Sequence, residues 1–309
     1  MKKTTASQSA FFNPRVLLVF VLCSLGVLLA LLGFSPNSSS SALARAPNQG
    51  FGQPTVGTSY KNDVSPALRD VAKVWPPKFK PQHEAAENPL IPNNHKDSPD
   101  TVVQDKFITA LAVQSPHIPG PILNFNGIPF PGVGCNCAPP DTNGSVGTTQ
   151  FVQIVNEGYE VFDKATGNSI LGPNSIESIW AGFDGSCENH GLGDPTVVFD
   201  KIARRWVITE FATATGDIPI TDECIAVSTT DDATGTYNRY GFHLSNNFID
   251  YPKLAVWPDA YYLSINLFNS SGTAFLGPQP FAFDRAKMLA GMPATFISFP
   301  PLGDRKSVV

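Results

Sequence analysis

With 309 residues the chain is long enough for one large or two modest domains with a real hydrophobic core, so size excludes no fold. Charged residues are only 15% while 28 prolines and 25 glycines punctuate the sequence, which argues against long surface helices and for many short strands joined by turns. The net charge of -5, with no cluster of Lys and Arg among aromatics, provides no basic surface for phosphate backbones, so nucleic acid is not an expected partner.

Lys2, Lys3 and Arg15 precede an uncharged apolar run at 16–34 (VLLVFVLCSLGVLLALLGF), which reads as an export signal. Its 19 residues nearly span a hydrocarbon core of ~30 Å, the length of a retained membrane anchor. The small-x-small patterns Ala42-Leu43-Ala44 and Ala44-Arg45-Ala46 would instead suit cleavage and secretion. Both routes place the body outside the cytoplasm, because the positive charges stay inside. Cys23 lies within the run and reads as an apolar side chain.

Residues 35–138, rich in Pro, Asn and Ser, read as a linker and loosely structured lead-in where no core is expected. Within it, residues 63–75 read as a short helix that Ser65 caps, with Pro66 in its first position. Residues 101–114 (TVVQDKFITALAVQ) suit a strand, and 125–134 hold Gly and Pro at turn spacing. Four of the five cysteines follow the export segment, in a compartment where disulfides persist, and four cysteines permit three pairings. Cys187, in a loop, and Cys224, at a strand entrance, form the expected bond. Cys135 and Cys137 are too close to pair without strain, which leaves an outside partner or a metal with unidentified ligands.

From Pro139 the sequence repeats itself. The first unit opens on Asp141 and continues through 151–156 (FVQIVN), 159–163 (YEVFD) and the turn 164–167 (KATG). The second opens on Asp194 and gives candidate strands at 196–199, 205–211, 224–228 and 237–244, with DDATG at 231–235. The third opens on Asp250 and continues through 261–266 (YYLSIN), 280–284 (PFAFD) and 295–299 (TFISF). A period of roughly 50 residues with four short strands is that of a β-propeller blade. Runs such as YYLSI carry apolar residues on both faces, as blades stacked face to face require. The expected fold is therefore all-β: a partial β-propeller of about three four-stranded blades at 139–190, 191–247 and 248–309, preceded by the N-terminal hydrophobic helix and the linker. Because propellers have ~4–8 blades, three units mean either a truncated chain, which is the expectation, or another arrangement of the units.

These residues resemble the sialidase-like, Asp-box β-propellers, in particular secreted bacterial propeller proteins with no assigned activity. The resemblance covers about 139–291 and rests on PPDTNG at 139–144, Gly193-Asp194-Pro195 with Arg204-Arg205-Trp206, STTDDATGTY at 228–237, and DYPKLAVWPDAYY at 250–262. In that family the Asp-box turn is structural, its Asp accepting backbone amides. The resemblance also implies what a sialidase would need, namely three arginines on a carboxylate and a Tyr/Glu pair. Its Phe/Tyr-Arg-Ile-Pro motif is absent here. Arg204 and Arg205 would point to opposite faces of a strand, and Tyr159 with Glu160, or Tyr261 and Tyr262, read as packed strand residues.

The unit-opening residues Asp141, Asp194 and Asp250 would ring the mouth of a central channel. They would either hold a hard cation such as Ca²⁺ or, as Asp before Pro or Gly commonly does, initiate turns. Asp163, Asp200 and Asp284 read as turn residues in exposed hairpins. The five histidines, His83, His95, His117, His190 and His243, are scattered, and no nucleophile elbow or phosphate loop is present, so no cofactor is expected. The reading is an extracytoplasmic binding or surface-display domain, its extracellular ligand unspecified but of a kind that includes carbohydrate. The rival is a glycoside hydrolase of sialidase-like architecture.

Overall fold

A computed structural model describes residues 52–74, 120–129, 140–216 and 219–301. Two four-residue strands, β1 (Thr55–Thr58) and β2 (Lys61–Val64), and a helix, α1 (Leu68–Val74), precede three antiparallel meanders. In the first, β3 (Asn143–Val146), β4 (Gln150–Val155), β5 (Gly158–Asp163) and β6 (Ser169–Ser175) form sheet I in sequential order. A 3-10 turn (Ile176–Trp180) and a single helical turn, α2 (Ser186–Asn189), lead to β7 (Gly191–Asp200), β8 (Arg205–Ala212), β9 (Asp222–Ser228) and β10 (Tyr237–His243). These four and β2 make sheet II, in the order β2-β10-β9-β8-β7. Sheet III, ordered β1-β14-β13-β12-β11, adds β1 to β11 (Phe248–Val256), β12 (Ala260–Phe268), β13 (Phe275–Asp284) and β14 (Thr295–Ser298), with helix α3 (Arg285–Leu289) before the last strand.

Among the described residues the protein is thus mostly β, with three antiparallel sheets and no closed barrel, and strands β3 to β14 of those sheets fall within the three predicted units. Sheet II lies between the other two, and its side chains alternate accordingly. Trp206, Ile208, Cys224 and Ala226 enter one apolar cluster with Val152, Ile154, Tyr159 and Val161 of sheet I. Val207, Ile225 and Val227 enter a second with Leu263, Ile265, Phe281 and Phe283 of sheet III. That double cover is why β9 is buried at every position and β8 at all but its first. The predicted Cys187–Cys224 disulfide is present inside the first cluster, with Cα atoms 5.7 Å apart.

Two expectations need correction. Sheets II and III have five strands, because residues 55–64 of the supposed linker supply β2 to one outer edge and β1 to the other. Nor is that stretch without a core, since Leu68 and Val71 are buried and Leu68 belongs to the first cluster. Neither strand was legible, because TVGT and KNDV carry no apolar alternation; they are held by edge pairing and by specific side chains. Ser65, predicted to cap α1, instead accepts the Tyr237 amide at 2.9 Å. The first amides of the α1 region are taken by carbonyls of the 231–235 turn: Leu68 N donates to Gly235 O (3.0 Å) and Arg69 N to Thr234 O (3.1 Å). A helix end thus finds its partners in a tertiary contact rather than a local cap.

The apolar run 16–34, the strand expected at 101–114, and Cys23, Cys135 and Cys137 lie outside the described residues. Among those described, no helix is long and apolar enough to cross a membrane. The described part of the predicted turn region lies on sheet I, where the Phe125 ring packs on Phe162 (5.1 Å between centroids) and Phe151 (6.0 Å).

Candidate functional site

The innermost strands β3, β7 and β11 belong to different sheets but lie side by side. Between β3 and β7 the tie is made by side chains instead of a ladder. Asn143 accepts the Val197 amide (2.9 Å) and donates to Pro195 O (2.7 Å), while Ser145 Oγ accepts the Phe199 amide (2.9 Å).

Each of these strands begins with the same backbone irregularity. In sheet II the pairing jumps from Gly193↔Phe211 to Thr196↔Thr209, so Asp194 and Pro195 bulge out. In sheet III it jumps from Asp250↔Asn266 to Lys253↔Ser264, so Tyr251 and Pro252 bulge out. In sheet I, Asp141 and Thr142 are bracketed by the Asn156 amide donating to Pro140 O (2.7 Å) and by the pair Asn143↔Ile154. The first bulged residue is left-handed in all three: φ is 42° at Asp141, 44° at Asp194 and 53° at Tyr251. Aspartate tolerates that conformation, whereas at Tyr251 it costs on the order of 1–3 kcal/mol.

The register therefore corrects the predicted repeat. Asp141 and Asp194 are equivalent, but their counterpart in the third unit is Tyr251; Asp250 corresponds to Gly193 and Pro140. Sequence alone aligned the aspartates, and the one-residue offset is visible only in the pairing.

Residues 141–143, 194–198, Tyr251, Lys253 and Leu254 line a cavity of roughly 430 Å³. Asn156 clamps two of its walls together, donating to Asp141 Oδ2 (3.0 Å) and accepting the Asp194 amide (3.1 Å). Asp250 lies just behind Tyr251. Burial pushes its carboxyl up, against the Tyr251 amide and the Lys253 charge, and the Asp141 charge pushes it further in the same direction. The Lys253 ammonium stands 3.3 Å from the centroid of the Tyr251 ring and donates to Pro252 O at 3.2 Å. Although the residue as a whole is exposed, the protein packed around its ammonium draws its pKa down, against the opposing pull of Asp194, Asp141 and Asp250. The three predicted aspartates thus act on one place, together with a lysine that sequence reasoning missed. Among the described residues no group of three or more His, Cys, Asp or Glu side chains is placed to hold a metal ion.

The other predicted residues do not converge there. Arg204 lies in a left-handed turn and pairs with Asp231, and Arg205 donates to the Ala203 and Arg204 carbonyls. Tyr159 is buried against Ser178, Tyr261 donates to Asp200 (3.0 Å), and the exposed Tyr262 donates to Asp259 (2.9 Å). Asp163 accepts amides of the turn it begins, as expected of a hairpin residue, whereas Asp284 accepts the Lys287 amide as the N-cap of helix α3 and begins no hairpin. Asp200 also begins a turn, accepting the Ile202 and Ala203 amides (both 3.0 Å), but it is fully buried rather than exposed and receives Arg285 at both oxygens (2.7 and 3.1 Å), which joins sheets II and III. In the Asp-box-like turn, Asp232 accepts the Thr234 amide (2.9 Å) and hydroxyl (2.8 Å), a structural role. Among the histidines, His243 Nδ1 lies 2.8 Å from Asp222 and outside the cavity lining.

Glu223 is, like Lys253, a chemistry-bearing group with no sequence signal. It is fully buried on β9, and desolvation raises its pKa to about 8, opposed by the Thr209 hydroxyl beside it and reinforced by the Asp194 charge. The Thr209 hydroxyl is in turn 2.8 Å from that of Thr196, a cavity residue.

No protein-family model matches the chain, and no curated protein does.

Proposed function

We propose that this chain is an extracytoplasmic, propeller-like binding domain whose ligand enters where the three innermost strands converge. The observation that carries this reading is the meeting of Asp141, Asp194, Tyr251 and Lys253, from three different sheets, around one cavity, the first three at positions where the backbone is held left-handed. Strained backbone persists where the surrounding structure over-determines it, and it clusters at ligand clamps. The export segment at 16–34 and the Cys187–Cys224 bond fit an oxidising compartment. The resemblance to Asp-box propellers fits three sheets stacked about their first strands. The sialidase-like glycosidase reading has less behind it, since among the described residues no arginine lines the cavity.

The test is to titrate the protein with soluble extracellular polysaccharide fragments and map backbone amide shifts. Changes confined to 141–143, 194–198 and 251–254, lost in Asp194→Asn, are expected. Shifts centred on other surfaces would overturn the site, and release of reducing sugar would favour the glycosidase.

A further inference from the structure

We infer that the cavity between β3, β7 and β11 selects an organic ammonium group carried on a larger molecule, and that the Lys253 side chain occupies its place in the free protein. This rests on the cavity being the binding site.

Charge makes the first cut. Asp141, Asp194 and Asp250 act together on Lys253, and three carboxylates against one ammonium leave an acidic space that disfavours anions. Shape makes the second. A hard metal ion needs oxygen ligands closed around it at roughly 2.3–2.6 Å. The described residues offer no such group, whereas a cavity of roughly 430 Å³ suits a larger, weakly hydrated cation.

The aromatic wall makes the third. Tyr251 is about half exposed (49%), and its ring already carries an ammonium at 3.3 Å. An aromatic face backed by carboxylates is the chemistry that recognises alkylammonium ions. Lys253 is poorly fastened there: it is exposed, and among the described residues its ammonium makes one hydrogen bond, to the carbonyl of its own neighbour Pro252, and no ion pair. Its flexible four-carbon stem lets it leave. The left-handed backbone at Tyr251 sets where its side chain leaves the strand, so the aromatic wall does not depend on the lysine for its place.

Choline and its neutral isostere 3,3-dimethyl-1-butanol test this in the full-length protein by calorimetry, with amide shifts to locate binding. Wild type is expected to bind choline weakly and the neutral probe not measurably. Lys253→Met removes the resident competitor and should tighten choline binding at least tenfold. Tyr251→Gly, which also relieves the backbone, should abolish it, and Asp194→Asn should weaken it at least threefold. Equal binding of both probes, or no gain in either Lys253→Met or Lys253→Gln, overturns the ammonium assignment and leaves the cavity intact as a binding site. If polysaccharide fragments also fail to shift cavity amides, the proposed site itself falls.

Discussion

Arg239 holds both carboxylate oxygens of Asp63, at 2.8 and 2.6 Å, across 176 residues of sequence. The guanidinium is almost completely buried (2%), and its remaining nitrogen donates to the Ile179 and Ala181 carbonyls at 3.0 and 2.9 Å. An outer-edge strand is thereby fixed by a charge that has no alternative partner in water.

Asp63→Ala strands that charge, so stability should fall by about 3 kcal/mol, the lower end for a broken buried pair because Asp63 is partly exposed. A lower urea midpoint with an unchanged m value would register it. Asp63→Leu combined with Arg239→Met should recover most of the loss. Equal midpoints for wild type and Asp63→Ala would show that β2 does not depend on the pair.

Reducing the Cys187–Cys224 bond, or replacing both cysteines by alanine, releases a constraint spanning 37 residues. The chain-entropy account puts the loss at about 4 kcal/mol. Thermal unfolding with and without reductant measures it. Matching melting temperatures would place the constraint's effect elsewhere than in the unfolded chain.

Glu223 makes stability depend on pH in an unusual direction. Its folded pKa of about 8 lies above the ordinary 4.5, so between those values the folded protein keeps a proton that the unfolded chain has lost. This group's contribution is fully present below pH 4.5 and drains away as pH rises, at up to about 1.4 kcal/mol per unit, until it levels off above 8. Glu223→Gln should remove that slope and be more stable relative to wild type at pH 9 than at pH 5. Parallel stability curves for the two proteins would refute it.

Gly147, in the tight turn between β3 and β4, packs directly on the Trp206 ring, where an added Cβ would collide with the six-membered ring. Trp206 cannot retreat, since its ring nitrogen donates to Asp231 O (3.0 Å) and its amide to Ser228 Oγ (2.7 Å). Gly147→Ala should therefore cost about 1–3 kcal/mol by overpacking, read as a lower melting temperature. A neutral outcome would mean that the turn is free to shift away from sheet II.

How much the sequence reveals depends on where each stabilising contact comes from. The strands of sheet II were readable because they are covered on both faces, and RWVITEF and CIAVS carry that cover in their composition. Cys187 and Cys224 were readable from strand and loop placement. The edge strands were not, since KNDV is fixed by a buried guanidinium far along the chain. The third bulge misled in a subtler way: Asp250 matches Asp141 and Asp194 in residue type, yet pairing register puts Tyr251 in their place. Lys253 and Glu223 gave no sign, because a lone charge in a strand acquires meaning only from what the other sheets set around it.

The placement of residues 55–64 has a mechanical consequence. Tension applied to the chain ahead of Thr55 would reach sheet III first, at the Thr55↔Ser298 pair, and then sheet II through β2. The four β1 pairs would open in succession, like a zip. The load would then meet Asp63 on Arg239 and, beyond it, the buried Leu68, a hard stop that shields the sheet interiors from a pull on the leading segment.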